Sequence, residues 1–222
     1  MNTSTRTTTI APRVGSRTPG GNHTFRKALL LACAMALCAP ALAAPKAAPL
    51  PPESVYQLPL TLTDQHGVAR PWQARRGEPQ LVAMFYTSCQ YICPLIVDAG
   101  KAVEKNLTPA QQQRLGIVLI SMDPVRDTPA ALKKVADQRK LDPKRWTLAS
   151  PPPSDVRAVA GILGIRYRAL ADGEFNHTSA LVLLDGEGRI IARTEQMGTV
   201  PDPVFLAAVR KATAPARASS GK

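Results

Sequence analysis

Thiol and imidazole side chains are scarce in this chain, with four cysteines and three histidines in 222 residues. His23, Cys33 and Cys38 lie in the first 43 residues, which read as an export leader. The mature chain therefore keeps only Cys89, Cys93, His66 and His177. Also missing is a basic stripe with interleaved aromatics, which removes nucleic acid as a partner class. No internal repeat is present. The longest apolar stretch, Ala28 to Ala39, is 12 residues, well short of the roughly 20 a spanning helix needs, so a multi-span membrane protein is excluded.

What is there suits one exported globular domain. Arg26-Lys27, the apolar run and Ala41-Leu42-Ala43 have the order of a secretory signal: basic flank, apolar core, small-x-small cleavage site. Residues 1–43 are assigned to this signal, with an uncleaved anchor as the alternative; the absence of a twin-arginine pair favours the general secretion route. The leader carries five bases and no acid, so the mature chain has 23 bases against 16 acids, a net charge of +7. Residues 44–54, rich in Ala and Pro, read as a linker; 55–213 read as the domain and 214–222 as a disordered tail. A mildly basic exported domain suits an anionic lipid or an acidic docking surface.

The domain opens with alternation over Tyr56 to Leu62 and a turn at Asp64-Gln65-His66-Gly67, a β-hairpin with His66 as a solvated turn residue. Leu81 to Tyr86 and Ile117 to Ile120 are continuous apolar runs, as expected of strands buried on both faces. Between them, Pro94 suits the first position of a helix, and Thr108-Pro109-Ala110-Gln111 fits a capping box. Thr128-Pro129 opens another helix, Trp146 to Leu148 a short strand, and Ser154 or Asp155 caps a helix stopped by Gly164. Ile165 to Leu170 extends. Ser179 to Asp185 and Arg189 to Thr194 form a hairpin, and a last helix follows Pro201 or Pro203. A central βαβ followed by ββα is the order of a thioredoxin-like fold: α/β, a mixed central sheet flanked by helices, and an N-terminal β-hairpin.

Cys89 and Cys93 are four apart, after the first buried strand and before its helix. Placed at the N-cap, Cys93 is expected to have its thiolate stabilised by the helix N-terminus. A thiolate serves as a disulfide-exchange nucleophile or as a soft-metal ligand, and a structural disulfide is the plain alternative, although so short a loop gains little from closure. In a thioredoxin-like layout the segment entering the Ser179 strand comes near this helix, and it carries His177. Two thiolates and one imidazole suit Cu(I) first; Zn(II) needs a fourth ligand, and Cu(II) an added oxygen ligand.

At this point the residues resemble a known family. Tyr86-Thr87-Ser88-Cys89-Gln90-Tyr91-Ile92-Cys93-Pro94 is similar to the Tyr-Thr-x-Cys-x-x-x-Cys-Pro segment of Sco/SenC proteins, and Asp123-Pro124-Val125-Arg126-Asp127-Thr128-Pro129 to their Asp-Pro-x-Arg-Asp-Thr-Pro segment. His177 matches their copper-binding histidine. The resemblance implies a thioredoxin-like copper chaperone, not an enzyme, with Cys89, Cys93 and His177 as ligands. It implies delivery of copper to the binuclear site of cytochrome c oxidase subunit II, with a copper donor chaperone and a thiol reductant as further partners. The alternative is a thiol–disulfide reductase in which Cys89 and Cys93 are redox-active and keep the target's cysteines reduced. The implied location is the periplasm, in solution or anchored to the inner membrane. Asp123, Arg126 and Asp127 would be structural or part of a partner surface. Gln90-Tyr91 stands where the family commonly has Pro-Asp, Phe85 replaces its glycine, and Asn176 replaces an aspartate, removing a negative charge expected near the metal.

Overall fold

A computed structural model describes residues 48–89 and 91–215. The predicted signal, the first four residues of the linker, Gln90 and the end of the tail lie outside the described residues.

The sheet is built outward from its most apolar segment. All six residues of β3 (Gln80–Phe85) are buried, so the strand can only lie in the middle of a covered sheet. It pairs in parallel with β4 (Gly116–Ser121), which pairs in parallel with β5 (Trp146–Ser150). The hairpin of β1 (Thr61–Asp64) and β2 (Ala69–Pro71) adds antiparallel to β5. On the other side, the hairpin of β8 (Leu181–Leu184) and β9 (Ile190–Thr194) adds antiparallel to β3. The order is β2-β1-β5-β4-β3-β8-β9, and the predicted thioredoxin-like fold is the observed one. Before β1, the predicted alternation gives way to a single 3-10 turn at Val55–Gln57, capped by Ser54.

Helices α1 (Ile92–Lys105), α2 (Pro109–Gln113), α3 (Pro129–Gln138), α4 (Val156–Ile162) and α5 (Pro203–Ala212) fill the connections. Their starts follow local chemistry: the Thr108–Gln111 capping box, the Thr128 hydroxyl accepting from the Ala131 amide, and the Asp202 carboxylate accepting from Val204 and Phe205. A separate two-stranded ribbon, β6 (Tyr167–Ala169) and β7 (Phe175–His177), turns through Gly173, whose φ of +83° suits glycine.

α1 is seated on the sheet at Gly100, where a Cβ would fall 2.7 Å from Trp146 Cη2. The indole cannot retreat, because Trp146 is buried and its Nε1 donates to Glu104 Oε2 at 3.1 Å. Gly100→Ala gains about 1 kcal/mol of helix propensity against an overpacking cost of about 1–3 kcal/mol. The variant is expected to be less stable by up to about 2 kcal/mol, read as a lower urea midpoint at unchanged m.

Candidate metal centre

The cysteines lie where β3 gives way to α1. The helix starts at Ile92, earlier than Pro94 suggests, so Pro94 falls inside the first turn, where a missing N–H costs nothing. This corrects the placement of Cys93. It is not the cap but a buried residue of the first turn, 4% exposed. Tyr91, at the N-cap, makes no side-chain cap bond; the Cys93 amide donates instead to Cys89 Sγ at 3.4 Å. Cys89 therefore receives the helix's first amides.

The electrostatics follow. Burial pushes the Cys89 thiol up, but hydrogen bonds from the Cys93 amide and thiol, the Tyr91 amide and the Tyr86 hydroxyl outweigh it, leaving it below the ordinary thiol value. Burial drives Cys93 well above that value, and the Tyr86 amide, 3.5 Å from its sulfur, offsets only part of the cost. Cys89 is thus the more acidic thiol of the pair, reversing the assignment made from spacing alone. Both cysteines are free thiols. Cys89 lines two openings: a cleft of about 150 Å³ against Val97 and Arg139, which Cys93 shares, and a groove of about 460 Å³ beside Tyr91, Glu174 and Phe175.

His177 ends β7. Its Nδ1 lies 3.2 Å from the Thr178 carbonyl, while Nε2 is buried and has no hydrogen-bond partner. Burial lowers the imidazole pKa, and the Thr178 carbonyl recovers only part of that. The neutral tautomer with Nδ1–H donating leaves a lone pair on Nε2, as a metal-ligating histidine requires. Asn176 is exposed and alternates to the other face of β7, so Thr178, not residue 176, orients the imidazole.

The structure brings the two cysteines together but does not bring His177 to them. Among the described residues no group of three or more His, Cys, Asp or Glu is close enough to hold a metal. The Tyr86 ring, at the head of the cysteine loop, packs on the histidine hairpin: its centroid is 5.9 Å from that of His177 and 5.1 Å from that of Phe175, edge to face in both cases. Its hydroxyl donates to Glu174 Oε2 at 2.8 Å. Tyr86 and Glu174 are site residues that sequence reasoning missed. The one local signal for the hairpin carrying Glu174 was the turn pair Asp172-Gly173. His66 sits exposed in the β1–β2 turn, away from the cysteines, as read.

Residues 123–127 tie the two halves of the site together. The buried Asp127 carboxylate accepts from the Thr87 amide at 3.0 Å, the Thr87 hydroxyl at 2.5 Å and the Ser121 hydroxyl at 2.5 Å. Burial raises its pKa despite these bonds. Arg126 pairs with Asp123, donates to the Gly173 carbonyl and lies over the Phe175 ring, gripping the β6–β7 turn. These residues serve as scaffold: one anchors the cysteine loop, its neighbour the histidine hairpin.

A thioredoxin-like domain with a free dithiol where strand gives way to helix, and an imidazole nitrogen left open on the next hairpin, defines a class that handles thiols or soft metals. The sequence pattern of SCO1/SenC matches residues 50–213, and the chain belongs to that family. A "Putative copper-binding protein" of Stutzerimonas stutzeri is 31% identical over 118 residues, 50% of this chain and 57% of that one, so the match spans little more than half that relative's length. The structure of Bradyrhizobium japonicum ScoI with copper bound is 25% identical, covers 69% of this chain and 97% of that one, and superposes with a TM-score of 0.57. BsSco, described as a member of the Sco family of cytochrome c oxidase assembly proteins with a disulfide switch, is 23% identical over 69% of this chain and 90% of that one, TM-score 0.59.

Two outcomes follow from the local chemistry. Iodoacetamide is expected to modify Cys89 first, at a rate that rises with pH below the ordinary thiol range, while Cys93 reacts only at higher pH. Mass spectrometry showing Cys93 modified first would contradict this order. Asp127→Ala orphans the Thr87 amide and is expected to cost at least about 1–3 kcal/mol, read by chemical denaturation.

Proposed function

We propose that this protein is a copper chaperone that holds Cu(I) through Cys89, Cys93 and His177 and hands it to a copper enzyme of the cytochrome c oxidase type, with subunit II as the recipient. The observation that carries the reading is the buried, unpartnered Nε2 of His177 in the same domain as a free dithiol, in a chain of this family. Two thiolates and an imidazole are a soft, low-coordinate donor set suited to Cu(I). Copper here is cargo, and a copper donor and a thiol reductant would serve either side of the step.

The residues divide the work. Cys89, already inclined to ionise and open to two clefts, presents the first sulfur. Cys93 loses its proton as it becomes the second ligand, because a bound cation reverses the burial penalty. His177 supplies a neutral nitrogen with no proton to lose, provided Tyr86 moves aside. Incoming thiolates of the recipient then replace these ligands one at a time, with no net redox change.

A second reading has its own support: the cysteines adjoin each other while His177 stands apart. As a thiol–disulfide reductase, the Cys89 thiolate would attack a target disulfide and Cys93 would resolve the mixed disulfide. The products would be an oxidised protein pair and a reduced target pair. For location we propose export to the periplasm, in solution or tethered to the inner membrane. Among the described residues no helix is long and apolar enough to cross a membrane.

Anaerobic titration of Cu(I) against a competing chelator separates the two readings. One tightly held ion per chain is expected, lost in Cys89→Ser and Cys93→Ser and weakened at least about tenfold in His177→Ala. Wild-type binding no tighter than that of Cys89→Ser would sink the chaperone reading.

A further inference from the structure

A cavity of about 610 Å³ lies away from the cysteines. It is floored by Gln80 and Gly116, the first residues of β3 and β4, whereas the cysteine loop follows the last residue of β3. Thr147 lines it, and its neighbour Trp146 points to the other face, onto α1. The cavity is thus on the sheet face turned away from the cysteine helix.

Three observations make this more than a surface hollow. First, five cationic residues line it and two of them are committed: Arg76 to Glu187, and Arg145 to Glu104 and Asp142. Arg70, Arg75 and Lys144 have no carboxylate within ion-pair distance among the described residues, and Arg75 is half-buried. Of the two lining acids, Asp64 is bound to its own turn by the His66 and Val68 amides, and Glu78 is exposed. Second, Trp72 is 0% exposed and its Nε1–H finds no acceptor. Third, Gln80 is 3% exposed and its Oε1 finds no donor. Its Nε2 donates to the Glu78 carbonyl at 3.2 Å, which fixes Oε1 as the free end. Gly116 makes room for that amide, since a Cβ there would fall 2.2 Å from Oε1.

Buried donors and acceptors left unmatched within a protein are rare and costly. Here the residues that carry one of each line the same cavity, with three cations that form no ion pair among the described residues. The ligand that answers all three carries an oxyanion for the arginines, an acceptor for the indole and a donor for the amide oxygen. We infer that the cavity is a binding site for a phosphate ester bearing a free hydroxyl, whether a soluble sugar- or glycerol-type phosphate or the headgroup of an anionic glycerophospholipid. Arginine forks match phosphate oxygens in pairs, and the ester's hydroxyl meets Gln80.

The two indole N–H signals of the full chain provide the test. Trp146 Nε1 is bound to Glu104 and serves as the internal reference, while Trp72 Nε1 is free to respond. Glycerol 3-phosphate is titrated by ¹H–¹⁵N NMR. Phosphatidylglycerol vesicles are compared with phosphatidylcholine vesicles by co-sedimentation. Saturable movement of the Trp72 signal alone is expected, weakened on the order of tenfold or more by Arg70→Gln with Lys144→Gln, both at exposed positions. Ethyl phosphate, which lacks the hydroxyl, is expected to bind more weakly. Binding of phosphatidylglycerol vesicles but not glycerol 3-phosphate assigns the site to a lipid headgroup, and the reverse to a soluble ester. No response to either, an equal response at Trp146, or binding unchanged in the double variant or with ethyl phosphate would overturn the proposal. None of these outcomes bears on copper binding.

Discussion

The Asp127 carboxylate is the point on which the site depends. Where β3 ends, the chain must leave the sheet, pass Thr87 and Ser88, and enter α1 within a few residues. Its backbone there is extended from the core with no ladder to satisfy it. Asp127 reaches across from the β4–α3 connection and accepts both donors of Thr87. Once that residue is fixed, Cys89 falls where its sulfur meets the first amides of α1, and Cys93 falls beneath it in the core. The carboxylate is kept buried at a cost in its own ionisation, which the Ser121 and Thr87 hydroxyls partly offset.

The division of labour between the two thiols follows from that geometry. Helix amides favour negative charge on whichever group lies ahead of the first turn, and burial opposes charge within it. One cysteine is therefore inclined to ionise and the other resists ionisation until something compensates it. A soft cation or a disulfide partner would each do so. This is why the dithiol alone does not distinguish metal transfer from thiol exchange, and why the open nitrogen of His177 carries the functional reading.

The parts of the fold written in local chemistry were legible in the sequence. The apolar run of β3, the Thr108 capping box, the Thr128-Pro129 helix start and the Gly186-Glu187-Gly188 hairpin all depend on residues adjacent in the chain. The start of α1 was misplaced because its cap is a sulfur, not one of the usual oxygen side chains. Ile165 to Leu170 was read as extended, but β7 and its pairing with β6 were missed because these strands are three residues each and half exposed; the ribbon's place is set by Arg126 and Tyr86 from elsewhere in the chain. Cys89, Cys93 and His177 were all singled out from sequence. The packing of the Tyr86 ring on Phe175 and His177 is a tertiary fact with no local signature.

The central claim is that His177 completes the site when copper is held, with Tyr86 displaced. X-ray absorption on the Cu(I)-loaded chain measures this directly. Two sulfur ligands and one nitrogen are expected, with the nitrogen lost in His177→Ala. A two-sulfur spectrum that His177→Ala leaves unchanged would contradict the account.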